Sequence, residues 1–352
     1  MSHSGIAPRC AAERRQAGFT LIELMIVLAI LMTVSAIVAT GLFQMTMTQG
    51  AVWNRTEMHG AVRSATELLQ QEIGQAGRIT LPATVTLSAP VLGNATSQTV
   101  GVTSSAGMFR GMQLVIGPDA VSNCPGTQCG SQETVQLTAV GANTITAIFQ
   151  DPHAIGALAS AAGAFAAGIV PTQSCVPPLV SGDCKIITID SAGATQVTTL
   201  TATTGSTGSV LKLFGDINGD GNVVYVEYKC DMSTTPGTFT RRVIPFDTAA
   251  AKSTFPAQVL LSNLLANPGS PSPPCFDYQR KVVTNNTYVI NVTLTMTIQT
   301  QDKDPKTQQF QTETKALLNV SPRNVYEAWQ LSSAGILGRI QPMPYSVTQL
   351  LP

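Results

Sequence analysis

The stretch GFTLIELMIVLAILMTVSAIVATGLF, residues 18–43, decides how the rest of the chain is read. From Phe19 to Phe43 it offers roughly 25 residues of nearly unbroken apolar character. As a helix that is about 37 Å, long enough to span a bilayer. No charged residue occurs between Glu23 and Arg55. The charge inside the run, Glu23, is the anomaly: an isolated acid within a span costs about 2.5–3.5 kcal/mol at the helix centre, and less near an end. A membrane span is therefore consistent with Glu23 only if the carboxylate acquires a partner.

The flank before the run carries Arg9, Arg14 and Arg15 against Glu13. That bias places the short N-terminal flank in the cytoplasm and the rest of the chain outside. Composition agrees. Of 352 residues, 20 are Lys or Arg and 20 are Asp or Glu, so the formal charge is zero and there is no basic field to neutralise phosphates. Nucleic acid is not an expected partner. Charged residues make up 11%, against roughly 25% in ordinary soluble domains, which suits a β-rich extracytoplasmic protein.

Seven cysteines occur, with Cys10 before the apolar run and Cys124, Cys129, Cys175, Cys184, Cys230 and Cys275 after it. An even set on the outer side implies a disulfide framework in an oxidising compartment, against the alternative of buried free thiols. Neighbour pairing gives Cys124–Cys129, Cys175–Cys184 and Cys230–Cys275.

Two readings compete for the apolar run. A secretory signal would use a shorter core and a small-residue cleavage site, for which Val34-Ser35-Ala36 could serve. The second is specific. GFTLIELMIVLAIL resembles the type IV prepilin signature: a glycine, then phenylalanine, then a span whose fifth residue is glutamate. The resemblance implies that a prepilin peptidase cuts between Gly18 and Phe19 and methylates the new amine of Phe19. Residues 1–18 are then a leader. Glu23 lies about 6 Å along the helix from that amine, and in a filament it would meet a neighbouring subunit's amine. The charge becomes a register device for assembly, in contrast to a carboxylate that merely snorkels to the interface.

The helix is expected to continue into water. Met58, Val62, Ala65, Leu69, Ile73 and Ala76 form one apolar stripe, and Arg55, Glu57, Arg63, Glu67 and Glu72 lie off it. Gly74 and Gly77 weaken the end and Pro82 closes it. The long helix is thus placed at 19–79, with 19–43 transmembrane. LLQQEIGQAGRI, 68–79, resembles the helix end of PilW-type minor pilins and J-type minor pseudopilins.

Beyond Thr80 the patterns are those of strands: 133–138, 143–149, 184–190, 196–203 and a second long strand at about 310–320. The cleanest is Asn291–Ile298, where Val292, Leu294, Met296 and Ile298 alternate with polar residues. The expected fold class is α+β, pilin-like, with the helix packed on an antiparallel sheet head at 206–325. Residues 84–185 look like an inserted β-rich segment, a small barrel or sandwich, with a tight hairpin at VQLTAVGANTITAIF. Residues 154–170 are read as a packed loop or short helix, and 326–352 as a C-terminal tail. PCFDYQ, 274–279, and LLNVSPRNV, 317–325, also resemble the C-terminal half of PilW-like minor pilins.

DINGDGNVVYVE, 216–227, fits the calcium-loop pattern. Asp216, Asn218 and Asp220 offer side-chain oxygens, Gly221 a sharp turn and Asn222 its carbonyl. Glu227 is less suitable, because a strand-like run would carry it about 16 Å from Asn222. The alternative is an ordinary Asn-Gly/Asp-Gly hairpin turn. A bound calcium would be structural; no other cofactor is expected.

No nucleophile elbow, H-E-x-x-H or phosphate loop occurs. His153, beside Pro152, is read as a turn residue, and the cysteine spacings are poor zinc patterns. An enzyme is not expected. The resemblance implies a structural subunit, a PilW-type minor pilin, with a type II secretion minor pseudopilin or a pilus-tip adhesin as alternatives. Its implied partners are other pilins through the N-terminal helix, the prepilin peptidase and the inner-membrane assembly platform. Its implied location is the bacterial inner membrane, single-pass with the head outside, and then the pilus or pseudopilus.

Overall fold

The structure, a computed structural model, describes residues 18, 20–118, 131–172, 174, 175, 182–248 and 250–352. Its architecture is α+β, a long N-terminal helix with a large antiparallel β-region, consistent with a pilin-like fold. The chain forms two compact units: residues up to Asn54 with Lys303–Gln309, and Arg55–Asp302 with Phe310–Pro352.

Helix α1 spans Leu21–Gln75. In the first unit every side chain from Leu21 to Gln49 is exposed, on all sides of the helix. A helix apolar all round and uncovered by protein is matched to lipid. Its threonine hydroxyls, at Thr33, Thr40, Thr46 and Thr48, are satisfied within the helix: Thr33 donates to Ile30 O at 2.8 Å and Thr46 to Phe43 O at 2.8 Å. Polar side chains are tolerated in hydrocarbon on that condition. The turn 303–309 approaches the helix at Gly50, where an added Cβ would lie 3.2 Å from Pro305 Cγ.

In the second unit the periodicity of α1 becomes packing. Met58, Val62, Ala65, Leu69, Ile73 and Ala76 are all buried, and they share one core with Leu211, Leu213, Val226, Tyr228, Phe239 and Leu294. These partners belong to a seven-stranded antiparallel sheet. Its path runs Val210–Gly215, Val224–Asp231, Gly237–Pro245, Gln258–Leu265, Asn286–Gln299 and Phe276–Val283, and Thr312–Val320 also pairs with Asn286–Gln299. In that longest strand Val292, Leu294, Met296 and Ile298 are buried as the alternation requires.

A second sheet of six strands has the order Val85–Thr86, Leu158–Ala161, Gln113–Ile116, Glu133–Gly141, Thr144–Ile148, Ser97–Gly101. Its outermost strands meet. The bridge Leu87↔Val102 is flanked by Ser88 N to Gly101 O at 2.9 Å and Thr103 N to Thr86 O at 3.0 Å. The sheet therefore closes into a small barrel around Leu87, Val102, Leu114, Val135, Leu137, Ile145 and Ala159, and closure removes exposed edges. The hairpin 133–148 turns at Asn143, φ +52°, a conformation that asparagine tolerates.

Two sequence expectations are corrected here. Residues 154–170 are neither loop nor helix throughout: they hold strands Leu158–Ala161 and Ala164–Phe165, and small residues such as Ala159, Ala162 and Ala167 fit where backbones crowd. His153, read as a turn residue, instead forms an antiparallel bridge with Val91. It is fully buried, with Nε2 2.9 Å from Glu133 Oε1 and its ring edge against Phe149.

The chain end is stitched into the fold. Helix α2, Arg323–Ser333, buries Val325 and Ala328 with Tyr288 and Ile290. Ile340–Gln341 pairs in parallel with Ala164–Phe165. The buried Gln341 amide donates to Gln113 O and Ala162 O, both at 2.7 Å, and its oxygen accepts from Gln113 N at 3.0 Å. Helix α3, Tyr345–Leu350, adds Val347 and Leu350 to the barrel core.

Candidate functional site

The functional candidates fall in two places, the start of α1 and the loop after Gly215. Gly18 and Thr20 are exposed, and Phe19 lies outside the described residues, as do 1–17. Thr20 caps the helix: its Oγ1 accepts from Glu23 N at 3.4 Å and its carbonyl accepts from Leu24 N at 3.1 Å. Thr20 and Glu23 have the three-residue spacing of a capping box. Glu23 thus stands in the first turn, where unsatisfied N–H groups favour a negative charge. The carboxylate is placed at the membrane-helix end where its cost is smallest, close in sequence to the cleavage bond that the motif implies.

Further along α1 is a charge that the sequence reading put off the apolar stripe. Glu72 is 3% exposed. Its carboxylate accepts from Arg241 Nε at 3.2 Å and from Arg241 Nη2, and Tyr228 OH donates to it at 2.5 Å. Arg241 lies on Gly237–Pro245 and Tyr228 on Val224–Asp231, directly opposite each other in register. The helix is therefore fixed on the sheet by a buried ion pair within the apolar seam. The signal was present: Glu72 stands three residues after Leu69 and four before Ala76, on the same helical face.

The Cys230–Cys275 disulfide expected from neighbour pairing is present, joining residues 45 apart. Cys184 is disulfide-bonded and fully buried. Cys124 and Cys129 lie outside the described residues, as does the side chain of Cys175.

The 216–227 stretch divides in two. Residues 216–223 form the connection between Val210–Gly215 and Val224–Asp231, with left-handed glycines at Gly219, φ +75°, and Gly221, φ +82°. Asp216 is fully buried, its Oδ2 accepting from Thr80 and lying 3.7 Å from Arg78 Nε. Asn218, Asp220 and Asn222 are exposed. Asp220 Oδ1 accepts from Asn222 N at 2.9 Å, and this backbone bond lowers the Asp220 carboxyl below its ordinary value. Glu227 does not join them. It sits inside strand Val224–Asp231, accepting from Tyr225 OH at 3.0 Å and from Lys252 at 2.5 Å. Among the described residues no three His, Cys, Asp or Glu side chains cluster as metal ligands. A cation at this loop would need amide and carbonyl oxygens as well.

With this geometry in place, comparison with known families shows that residues 14–39 match the prokaryotic N-terminal methylation motif. No curated protein and no solved structure matches the chain. The matched residues contain Gly18, Phe19 and Glu23 and run into the exposed apolar part of α1. The motif supports a type IV pilin or pseudopilin-like subunit with a membrane-capable N-terminal helix, and the family it marks is a structural one. Interaction with the prepilin peptidase and other pilus components is what such a motif generally implies.

Proposed function

We propose that the chain is a minor type IV pilin, PilW-like, that serves pilus assembly. The observation that carries this reading is the methylation motif leading into a helix whose exposed half suits lipid and whose other half is buried on an antiparallel sheet. In this reading the peptidase cuts Gly18–Phe19 on the cytoplasmic face and methylates the Phe19 amine. The subunit waits in the inner membrane with its sheet and barrel outside. The assembly platform then moves α1 from lipid into a filament core, where a neighbour's amine meets Glu23 in a water-poor setting. A carboxylate costly to leave unpaired makes any other register unfavourable.

The test is incorporation. Filaments sheared from the source bacterium should contain this chain beginning at N-methylated Phe19. A Glu23→Ala chain should be cut yet missing from the filament. A Gly18 variant that remains uncut should stay in the membrane. Filaments that take up the uncut chain would overturn the proposal. Deleting the gene also separates the same-class alternative: lost pili support the pilin, while intact pili with lost protein secretion support the pseudopilin.

The exposed Leu92 and Ile155 on the closed barrel favour a second reading, adhesion through the inserted segment. Deleting residues 84–185 separates the two: lost piliation supports assembly. Normal pili with lost attachment would support the adhesin.

A further inference from the structure

We propose that the loop 216–222 binds one calcium ion, and that the ion fastens the end of the long helix to both sheets. Asp216, Asn218 and Asp220 present side-chain oxygens at alternate positions of a tightly curled loop, and the Asn222 carbonyl follows. Hard oxygen donors on such a loop, with water completing about six to eight ligands, are what calcium takes. An independent observation points the same way. Asp216 is fully buried, yet its Oδ1 has no hydrogen-bond partner, while Oδ2 is engaged by Thr80. A buried carboxylate oxygen left without a donor is costly, and a cation would satisfy it.

The surroundings define what the ion would do. Asp216 N donates to Arg78 O at 2.8 Å, so the loop begins against the chain leaving α1. At Gly221 an added Cβ would fall 2.3 Å from Pro82 Cα, and the Gly221 carbonyl lies 3.4 Å from the Cβ position of Gly107 in the inserted segment. The loop therefore sits where helix exit, barrel and seven-stranded sheet converge. Arg78 is the competing cation: Nε lies 3.7 Å from Asp216 Oδ2 and Nη1 3.2 Å from the Cβ position of Gly219. Glu227 takes no part, held in its strand by Lys252 and Tyr225.

The test uses the full-length chain in detergent micelles, stripped with EDTA and titrated with CaCl2 by calorimetry, with thermal unfolding recorded in parallel. One site per chain is expected, with Kd in the range of about 0.1–1 mM found for extracellular modules, and a rise in Tm. Asp220→Ala should weaken binding about ten-fold or more, because charge count sets affinity at such sites. This carboxylate is exposed and its hydrogen bond stays within the loop, so the variant should fold. Glu227→Gln should bind as the parent does, and Arg78→Gln should bind more tightly by removing the competitor. No heat and no Tm shift at about 5 mM calcium, above the weakest affinities of this class, would overturn the proposal. So would an unchanged affinity in Asp220→Ala, or an equal response to magnesium.

Discussion

Glu72 of the long helix, its carboxylate buried, pairs with the partly buried Arg241 of the central sheet, and Tyr228 completes the carboxylate's bonds. The same helix carries a second acid, Glu23, at its exposed membrane end. One acid has its partner within the chain; the other, in the proposed filament, finds it on a neighbour.

Removing the carboxylate of Glu72 should be costly. Glu72→Ala strands a largely buried guanidinium and leaves the Tyr228 hydroxyl without its acceptor. Breaking a buried pair from one side costs about 3–5 kcal/mol. Urea denaturation should show that loss for Glu72→Ala. The double variant Glu72→Leu/Arg241→Met should recover much of it, since no unpaired charge remains.

The Cys230–Cys275 bridge closes a loop of 45 residues. In the chain-entropy account a loop of that size contributes about 4 kcal/mol. Replacing both cysteines by serine should lower the denaturation free energy by about that amount. Urea denaturation of the double variant against the parent, both unreduced, checks the loss.

Stability should depend on pH through Lys212. The residue is 5% exposed, and its ammonium donates to Thr203 O and Leu351 O, both at 2.5 Å. Burial lowers its pKa from 10.5 to about 8, with Lys252 adding to the shift and Glu227 opposing it. Between those values the unfolded chain binds more protons than the folded one, so stability rises with pH across that window. Tyr225, Tyr228, Tyr278 and Tyr288 act in the opposite sense. Burial raises each above its ordinary value of 10.0, so stability falls again once unfolded tyrosines ionise. Urea midpoints should climb from pH 8 toward pH 10 and then drop, and Lys212→Met should flatten the climb.

Gly77 ends the long helix at φ +79°, donating to Phe214 O and accepting from Phe165 N, both at 2.9 Å. A Cβ there would lie 2.9 Å from Val325 Cγ2, and one on Gly168 would lie 2.2 Å from Gly77 Cα. Gly77→Ala adds left-handed backbone strain to that crowding. It should cost about 2 kcal/mol or more. Gly74→Ala is the control: nothing lies within 4 Å of its Cβ position, so the replacement should be neutral or stabilising by up to about 1 kcal/mol. Thermal unfolding of both variants checks the contrast.

Much of the fold was legible because it depends on local periodicity. The stripe Met58 to Ala76 repeats every three or four residues, and all six side chains are buried. The alternation at Asn291–Ile298 put the right four residues inside. Both patterns follow from where a helix or strand points successive side chains. Residues 154–170 defeated the reading because alanine and glycine carry little periodic contrast. Their strands form through partners far along the chain, at Val85–Thr86, Gln113–Ile116 and Ile340–Gln341.

The sequence by itself determined the membrane-capable helix, the motif around Gly18 and Glu23, and the helix-plus-antiparallel-sheet class. These rest on runs of neighbouring residues whose polarity and spacing act locally. Only the tertiary structure decided that Glu72 is a buried latch, that Glu227 serves Lys252 and not the loop, and that the strands between Val85 and Ala161 close into a barrel. Each depends on residues tens to well over a hundred positions apart, brought together by burial of a common core. The cost or benefit of a polar group is set there by its neighbours in space.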